Sequence, residues 1–211
     1  MTARAPADRV LGLALFVASL VFVAHRALVP LAETDLFFHL KLGDLIFERH
    51  AIPFRNLFSF TYPDYPDPDL SWGFQVAVSW LFAHGGFPSI VLFKTALVVG
   101  ASALMYRAAR LAGASAGACA VATVLAINAA DQRLVERPHL VTFLGIGVLS
   151  VLLEQVRRGR DGFLWLVPVL VVVWANFHAG VFLCILVLGC FGLERPSPRW
   201  LVVLALATVA T

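Results

Sequence analysis

The sequence predicts an all-α, polytopic membrane protein: a single transmembrane domain over 1–211 with about six to seven crossings and a long first outer loop. Three observations predict it. Hydrophobic residues fill 60% of the 211 positions and charged residues only 14%, whereas a soluble domain is about half apolar and a quarter charged. Mean hydropathy is +0.86. The apolar residues gather into runs at 10–31, 88–109, 113–130, 139–156, 163–176, 179–193 and 199–211, and one crossing takes about 20 of them.

The run 10–31 is long enough for a first span and follows Arg4 and Arg9. No clean small-x-small site follows Ala24, which favours a retained anchor over a cleaved signal peptide. An outer loop over 32–87 comes next. It carries surface helices, one of them predicted over 72–84 and ending at Gly85-Gly86, with a crossing as its alternative. Gly113, Ser115 and Gly117 give the run 113–130 small residues at helix–helix spacing. The runs 163–176 and 179–193 are each short for a crossing, with Asn176-Phe177-His178 between them. A hairpin is expected there, because one continuous helix would carry Arg195 and Arg199 to the outer side. Its polar tip implies a recess, since irregular backbone within a bilayer is tolerated only beside a cavity or inside protein. The last run reaches Thr211 without a polar stop, so the chain is expected to be an N-terminal portion.

Loop charges set the expected orientation. With the amino terminus in the cytoplasm, the inner segments carry Arg4, Arg9, Arg107, Arg110, Arg157, Arg158, Arg160, Arg195 and Arg199. The outer segments carry Arg26, Lys41, Arg49, Arg55, Arg133 and Arg137. Basic residues in short loops favour the cytoplasm. The acids Glu33, Asp35, Asp44, Glu48, Asp64, Asp67, Asp69, Asp131 and Glu136 then face outward, and Lys94 is left inside a span. Cys119, Cys184 and Cys190 all stand in apolar runs without metal-like spacing and read as packing residues. The basic residues form no patch, so no nucleic-acid partner is expected. No phosphate-cradling glycine loop or nucleophile elbow is present.

Three polar clusters meet on the outer side in this topology. Glu33, Asp35 and His39 follow the first span, with Asp35 and His39 four residues apart on one helix face. Arg133, Arg137 and His139 precede the run 139–156, and Asn176 and His178 sit at the hairpin tip. An acid, an arginine and two or three histidines beside a bilayer suit a phosphate-bearing substrate, because the guanidinium fork matches phosphate oxygens two at a time. A carboxylate there can serve as general base or, with His39, as a ligand for a divalent metal ion. Each residue also has a plainer reading. Asp35 could cap the helix that starts there, His39 could be a surface histidine, and Arg137 could snorkel at a span boundary. Asn176 and His178 could satisfy one another and nearby backbone at a buried turn.

The order of features resembles bacterial multi-pass proteins with the type C glycosyltransferase fold, related to protein O-mannosyltransferases. The residues that carry the likeness are Asp35-Leu36-Phe37-Phe38-His39-Leu40 with Gly43, Ile52-Pro53 and Asn56-Leu57-Phe58-Ser59-Phe60-Thr61. Trp72 ahead of a helix, Gly85-Gly86, Arg137-Pro138 and Trp174-Ala175-Asn176-Phe177-His178-Ala179-Gly180 complete it. The resemblance implies an inverting enzyme at the outer face of the bacterial inner membrane, using a polyprenyl-phosphate-linked sugar as donor. It also implies Asp35 as catalytic base or metal partner, oriented by His39. Arg137, with Arg133 or His139, would then meet the leaving phosphate, while Asn176 and His178 line the carrier's recess. Where relatives carry a histidine and a carboxylate after this tryptophan, the chain has Gln75 and Val76. Two other classes stay open: a transporter or flippase of a lipid-linked or anionic solute, to which Lys94 points, and a non-catalytic membrane partner using the Pro- and Asp-rich stretch 62–69.

Overall fold

The computed structural model describes residues 6–62, 65–194 and 197–210; Arg4, Asp64 and Arg195, which enter the charge argument, lie outside them. Among the described residues eight α-helices follow one another: α1 (Pro6–Ala27), α2 (Asp35–Arg49), α3 (Trp72–Leu111), α4 (Ala116–Ala129), α5 (His139–Arg157), α6 (Leu166–Ala175), α7 (Phe182–Glu194) and α8 (Pro198–Ala210). Among the described residues, extended pairing is limited to one bridge between Arg55 and Pro66. Three helices, Ala7–Ala27, Trp72–Leu111 and His139–Arg157, are long and apolar enough to cross a bilayer, and the apolar helices between and after them are shorter. This is the architecture of a helical membrane protein.

The segment 72–84 and the run 88–109 belong to one helical path, broken at Gly86. Gly86 has φ 60° and ψ −158°, a conformation in which a Cβ would clash. Pro88 removes a backbone donor just beyond the break. The Ser89 hydroxyl, 2.7 Å from both the Leu81 and Gly86 carbonyl oxygens, compensates for the lost helical bonds.

The small residues after α3 do a different job from the one their spacing suggests. Gly113 turns the chain at φ 102°, and the Ser115 side chain caps α4 by accepting from the Ala118 N–H. A Cβ on Gly113 or Gly117 would meet nothing within 4 Å, so neither brings helices together. Close approach occurs elsewhere. A Cβ on Gly145 would lie 2.6 Å from the Trp174 ring, and one on Gly43 would collide with the Gln75 backbone and Ser79.

Three packed clusters join the helices. Leu36 and Leu40 of α2 pack on Phe74, Val78 and Ile90 of α3. Val23 and Ala27 of α1 meet Leu97 and Val98 of α3, Ile127 of α4 and Leu140 of α5. The largest cluster joins α5 through α8, with Trp174, Leu188 and Val203 at its centre. Cys119 and Cys184 are buried and Cys190 is exposed; none of them forms a disulfide.

Polar residues then mark two ends of the bundle. At one end Arg157 of α5 pairs with Glu154 and with Glu194 of α7, and Arg199 of α8 lies 3.6 Å from Asp161. At the other end Trp72 Nε1 donates to Asn176 Oδ1 at 2.8 Å, and Gly73 N–H donates to the Asn176 carbonyl at 2.8 Å. Helix α6 therefore runs from the arginine-rich end to the Asn176 end, and α7 returns.

Candidate functional site

The site is assembled where α1 ends, α2 begins and α5 begins. The connection from α1 to α2 is held by a buried carboxylate. Glu136 Oε1 accepts from the Ala32 and Glu33 N–H groups at 2.7 and 2.9 Å. Its other oxygen is 3.2 Å from Lys94 Nζ, which also donates to the Val29 carbonyl at 3.1 Å. Both charged side chains are 1% exposed. Lys94, which the sequence leaves as a lone charge in a span, is thus one half of an internal clamp.

The next residue faces outward. Arg137 Nη2 donates to Glu33 Oε1 at 2.9 Å and lies 2.7 Å from Asp35 Oδ2, and its Nε stands 2.7 Å from Glu33 Oε2. Arg137 holds the Glu33 carboxyl below its usual range, and Glu33 holds the guanidinium above its own. The capping reading of Asp35 fails here: Thr34 occupies the N-cap position without a side-chain cap bond, Glu33 Oε1 accepts from the Asp35 N–H at 3.4 Å, and the Asp35 carboxylate turns to Arg137 instead. Snorkelling fails for Arg137 too, because two carboxylates fix its fork.

His39 lies one turn beyond Asp35, half-buried between the edges of Phe38 and Phe74 at ring distances of 5.7 and 5.4 Å. Its Nδ1 is buried without a hydrogen-bond partner. Burial pushes the imidazole below its ordinary range, and Asp69 is the carboxylate that most opposes this shift. Gln75, 1% exposed, likewise keeps a buried Oε1 without a partner.

The remaining predicted residues split into anchors and open groups. His139 Nε2 is 2.8 Å from the Arg133 carbonyl oxygen, which ties the short turn at 131–133 to the start of α5. The Arg133 side chain itself is exposed and has no ion-pair partner among the described residues. Asn176 spends its polar atoms on structure: Oδ1 receives Trp72, the carbonyl receives Gly73, and Nδ2 donates to the Val172 carbonyl at 2.7 Å. Asn176 and His178 do not satisfy one another. His178 Nδ1 accepts from Gly180 N–H at 3.0 Å and lies 2.7 Å from the Thr142 hydroxyl, which receives Trp174 Nε1 at 3.0 Å. A backbone N–H pointing at Nδ1 leaves the ring proton on Nε2. The Gly180 N–H thus sets the tautomer, and Thr142, which receives Trp174 Nε1, holds the ring in place.

A divalent ion does not fit the donor set at Asp35 and His39. Among the described residues no three His, Cys, Asp or Glu side chains are grouped to hold one. Asp35 and Glu33 are both already paired with Arg137. What the arrangement offers is an exposed, oriented carboxylate, a neighbouring imidazole and two arginines, one committed and one open. No family model, curated protein or solved structure matches the chain.

Proposed function

We propose that this protein is a membrane glycosyltransferase, moving a sugar from a polyprenyl-phosphate donor to an acceptor at the outer face of a bacterial inner membrane. In this reading six or seven of its apolar helices cross the bilayer and the amino terminus is cytoplasmic. One observation carries it: Asp35, 54% exposed, is held by Arg137 where the first long apolar helix gives way to polar chain, with His39 one turn away. Ionisable groups that face one another beside a span are candidates for substrate contact.

Chemically, the acceptor hydroxyl oxygen attacks the anomeric carbon and its proton passes to the Asp35 carboxylate. The bond from that carbon to the phosphate oxygen breaks, the electron pair leaves with the polyprenyl phosphate, and the sugar is inverted. Arg137 fixes the carboxylate's direction. Arg133, exposed and without a carboxylate partner among the described residues, is the cation left free to meet the departing phosphate in this reading. His139 holds the Arg133 turn in place, and Asn176 and His178 fix the adjoining chain.

The transporter alternative drew on Lys94, and its pairing with Glu136 and Val29 accounts for that charge structurally. The test is slow release of free sugar from extracted bacterial polyprenyl-phosphate sugars, wild type against Asp35→Asn at matched membrane levels. Release that falls by about a hundredfold or more in the variant supports the reading. No release from folded wild type, or equal release from both, overturns it.

A further inference from the structure

A cavity lies in the loop between α2 and α3. It has a volume of about 350 Å³ and its lining includes Phe38, Phe58, Arg55, Asn56, Asp67 and Asp69. Pockets for small ligands begin at about 300 Å³. The loop that forms it is built, although it has no helix or extended strand. Asn56 N–H donates to the Tyr65 carbonyl at 2.8 Å and Asp67 N–H to the Phe54 carbonyl at 2.9 Å, clamping 54–56 against 65–67. Asn56 Oδ1 accepts from the Phe58 and Ser59 N–H groups at 3.0 and 2.9 Å, which sets the turn carrying Phe58. Phe38 and Phe58 meet edge to face with centroids 5.4 Å apart.

The chemistry of this lining selects its ligand. Arg55 and the Asn56 amide offer donors, Asp67 and Asp69 offer acceptors, and the two rings offer apolar faces. Two carboxylates repel a phosphate, and the arginine opposes a cation. A neutral ring bearing hydroxyls supplies donors, acceptors and C–H faces together. Asp69 is the key group. Its Oδ1 accepts from Ser71 N–H at 2.9 Å, whereas its Oδ2 is buried with no hydrogen-bond partner among the described residues. An unpaired buried acceptor is costly and gains from any donor that reaches it. A small turn about the soft χ2 torsion of aspartate brings Oδ2 to the cavity while Ser71 keeps an oxygen.

Resting on the transferase reading above, we propose that this loop pocket is the acceptor subsite, holding a sugar-like polyol against the wall formed by the Phe38 and Phe58 rings, with a hydroxyl that donates to Asp69 Oδ2. Phe38 borders the ring of His39, so an acceptor seated here lies next to the Asp35 face of α2. The test is saturation-transfer NMR on the whole chain in lipid nanodiscs, with methyl α-glucoside, α-mannoside and α-galactoside as probes. Asp69→Asn keeps an oxygen for Ser71, and Phe58→Ala removes a half-exposed wall; either is read only where its unfolding midpoint matches wild type. At least one glycoside should saturate in wild type, lose about tenfold in Asp69→Asn, as loss of one charged hydrogen bond requires, and weaken in Phe58→Ala with the loss of the ring wall. No saturation in wild type, or unchanged saturation in a folded variant, overturns the subsite. Binding and turnover separate the two readings. Binding without sugar release rejects the transferase and keeps a polyol site, and release without binding rejects the subsite alone.

Discussion

Glu136 and Arg137 are adjacent in the chain and are used in opposite ways. The Glu136 side chain is 1% exposed and closes on Lys94 and two backbone N–H groups; that of Arg137 is 40% exposed and closes on Glu33 and Asp35. Both arrangements pair opposite charges and both act on the same connection between α1 and α2. The inner one has no water to fall back on, so it fixes where Ala32 and Glu33 run. The outer one has water as a competitor and can be remade when a substrate arrives. A folding device and a chemical device therefore share one connection, and substitutions tell them apart.

The largest effect is expected inside. Lys94→Met leaves the Glu136 carboxylate buried and uncompensated, a loss of about 3–5 kcal/mol. Adding Glu136→Gln should recover most of it, because the Gln oxygen still receives Ala32 and Glu33 N–H. Thermal unfolding in detergent reads both. If the single variant unfolds like wild type, the buried pair is not the clamp described here.

Asn176 comes next. Asn176→Ala removes the acceptor of Trp72 Nε1 and should cost about 1–3 kcal/mol. Sugar release should follow stability and not fall independently of it. A large loss of release at an unchanged unfolding midpoint would move Asn176 from anchor to substrate contact.

Arg133→Gln and Arg137→Gln form the outer test. Neither guanidinium is buried, so both variants should unfold within about 1 kcal/mol of wild type. Release should fall about tenfold or more in each, with the open Arg133 acting on the phosphate and the committed Arg137 acting through Asp35. If Arg133→Gln releases sugar at the wild-type rate, the leaving phosphate is met by another cation.

The helices were legible because apolar runs and glycine breaks are local. The predicted runs 139–156, 179–193 and 199–211 became His139–Arg157, Phe182–Glu194 and Pro198–Ala210, and the break expected at Gly85-Gly86 falls at Gly86. The convergence of Glu33, Asp35 and Arg137 also followed from topology. What pairs with what did not. Lys94 and Glu136 are 42 positions apart, and Trp72 and Asn176 are 104 apart, so no periodicity links them. Asp69 stands in a stretch whose composition reads only as a stiff loop, and its orphaned oxygen exists only once 54–56 and 65–67 are clamped. Gly113 and Gly117 misled for the same reason: spacing describes a helix face, and these residues turned out to be a turn and an open position.

The smallest effect is on acid stability, and its sign follows from Glu33. Arg137 lowers the Glu33 carboxyl in the folded protein relative to an ordinary carboxylate. The folded state therefore binds that proton less readily than the unfolded chain. The stabilisation is complete above the ordinary carboxylate range and is lost as pH falls through the lowered folded value. The pair is partly open to water, so the amount is under about 1 kcal/mol. Unfolding midpoints measured from neutral pH down to the acid limit should converge for wild type and Arg137→Gln, with wild type losing slightly more on the way. Parallel curves for wild type and Arg137→Gln would mean that Glu33 gains nothing from the arginine, and the outer pair would then be only a contact.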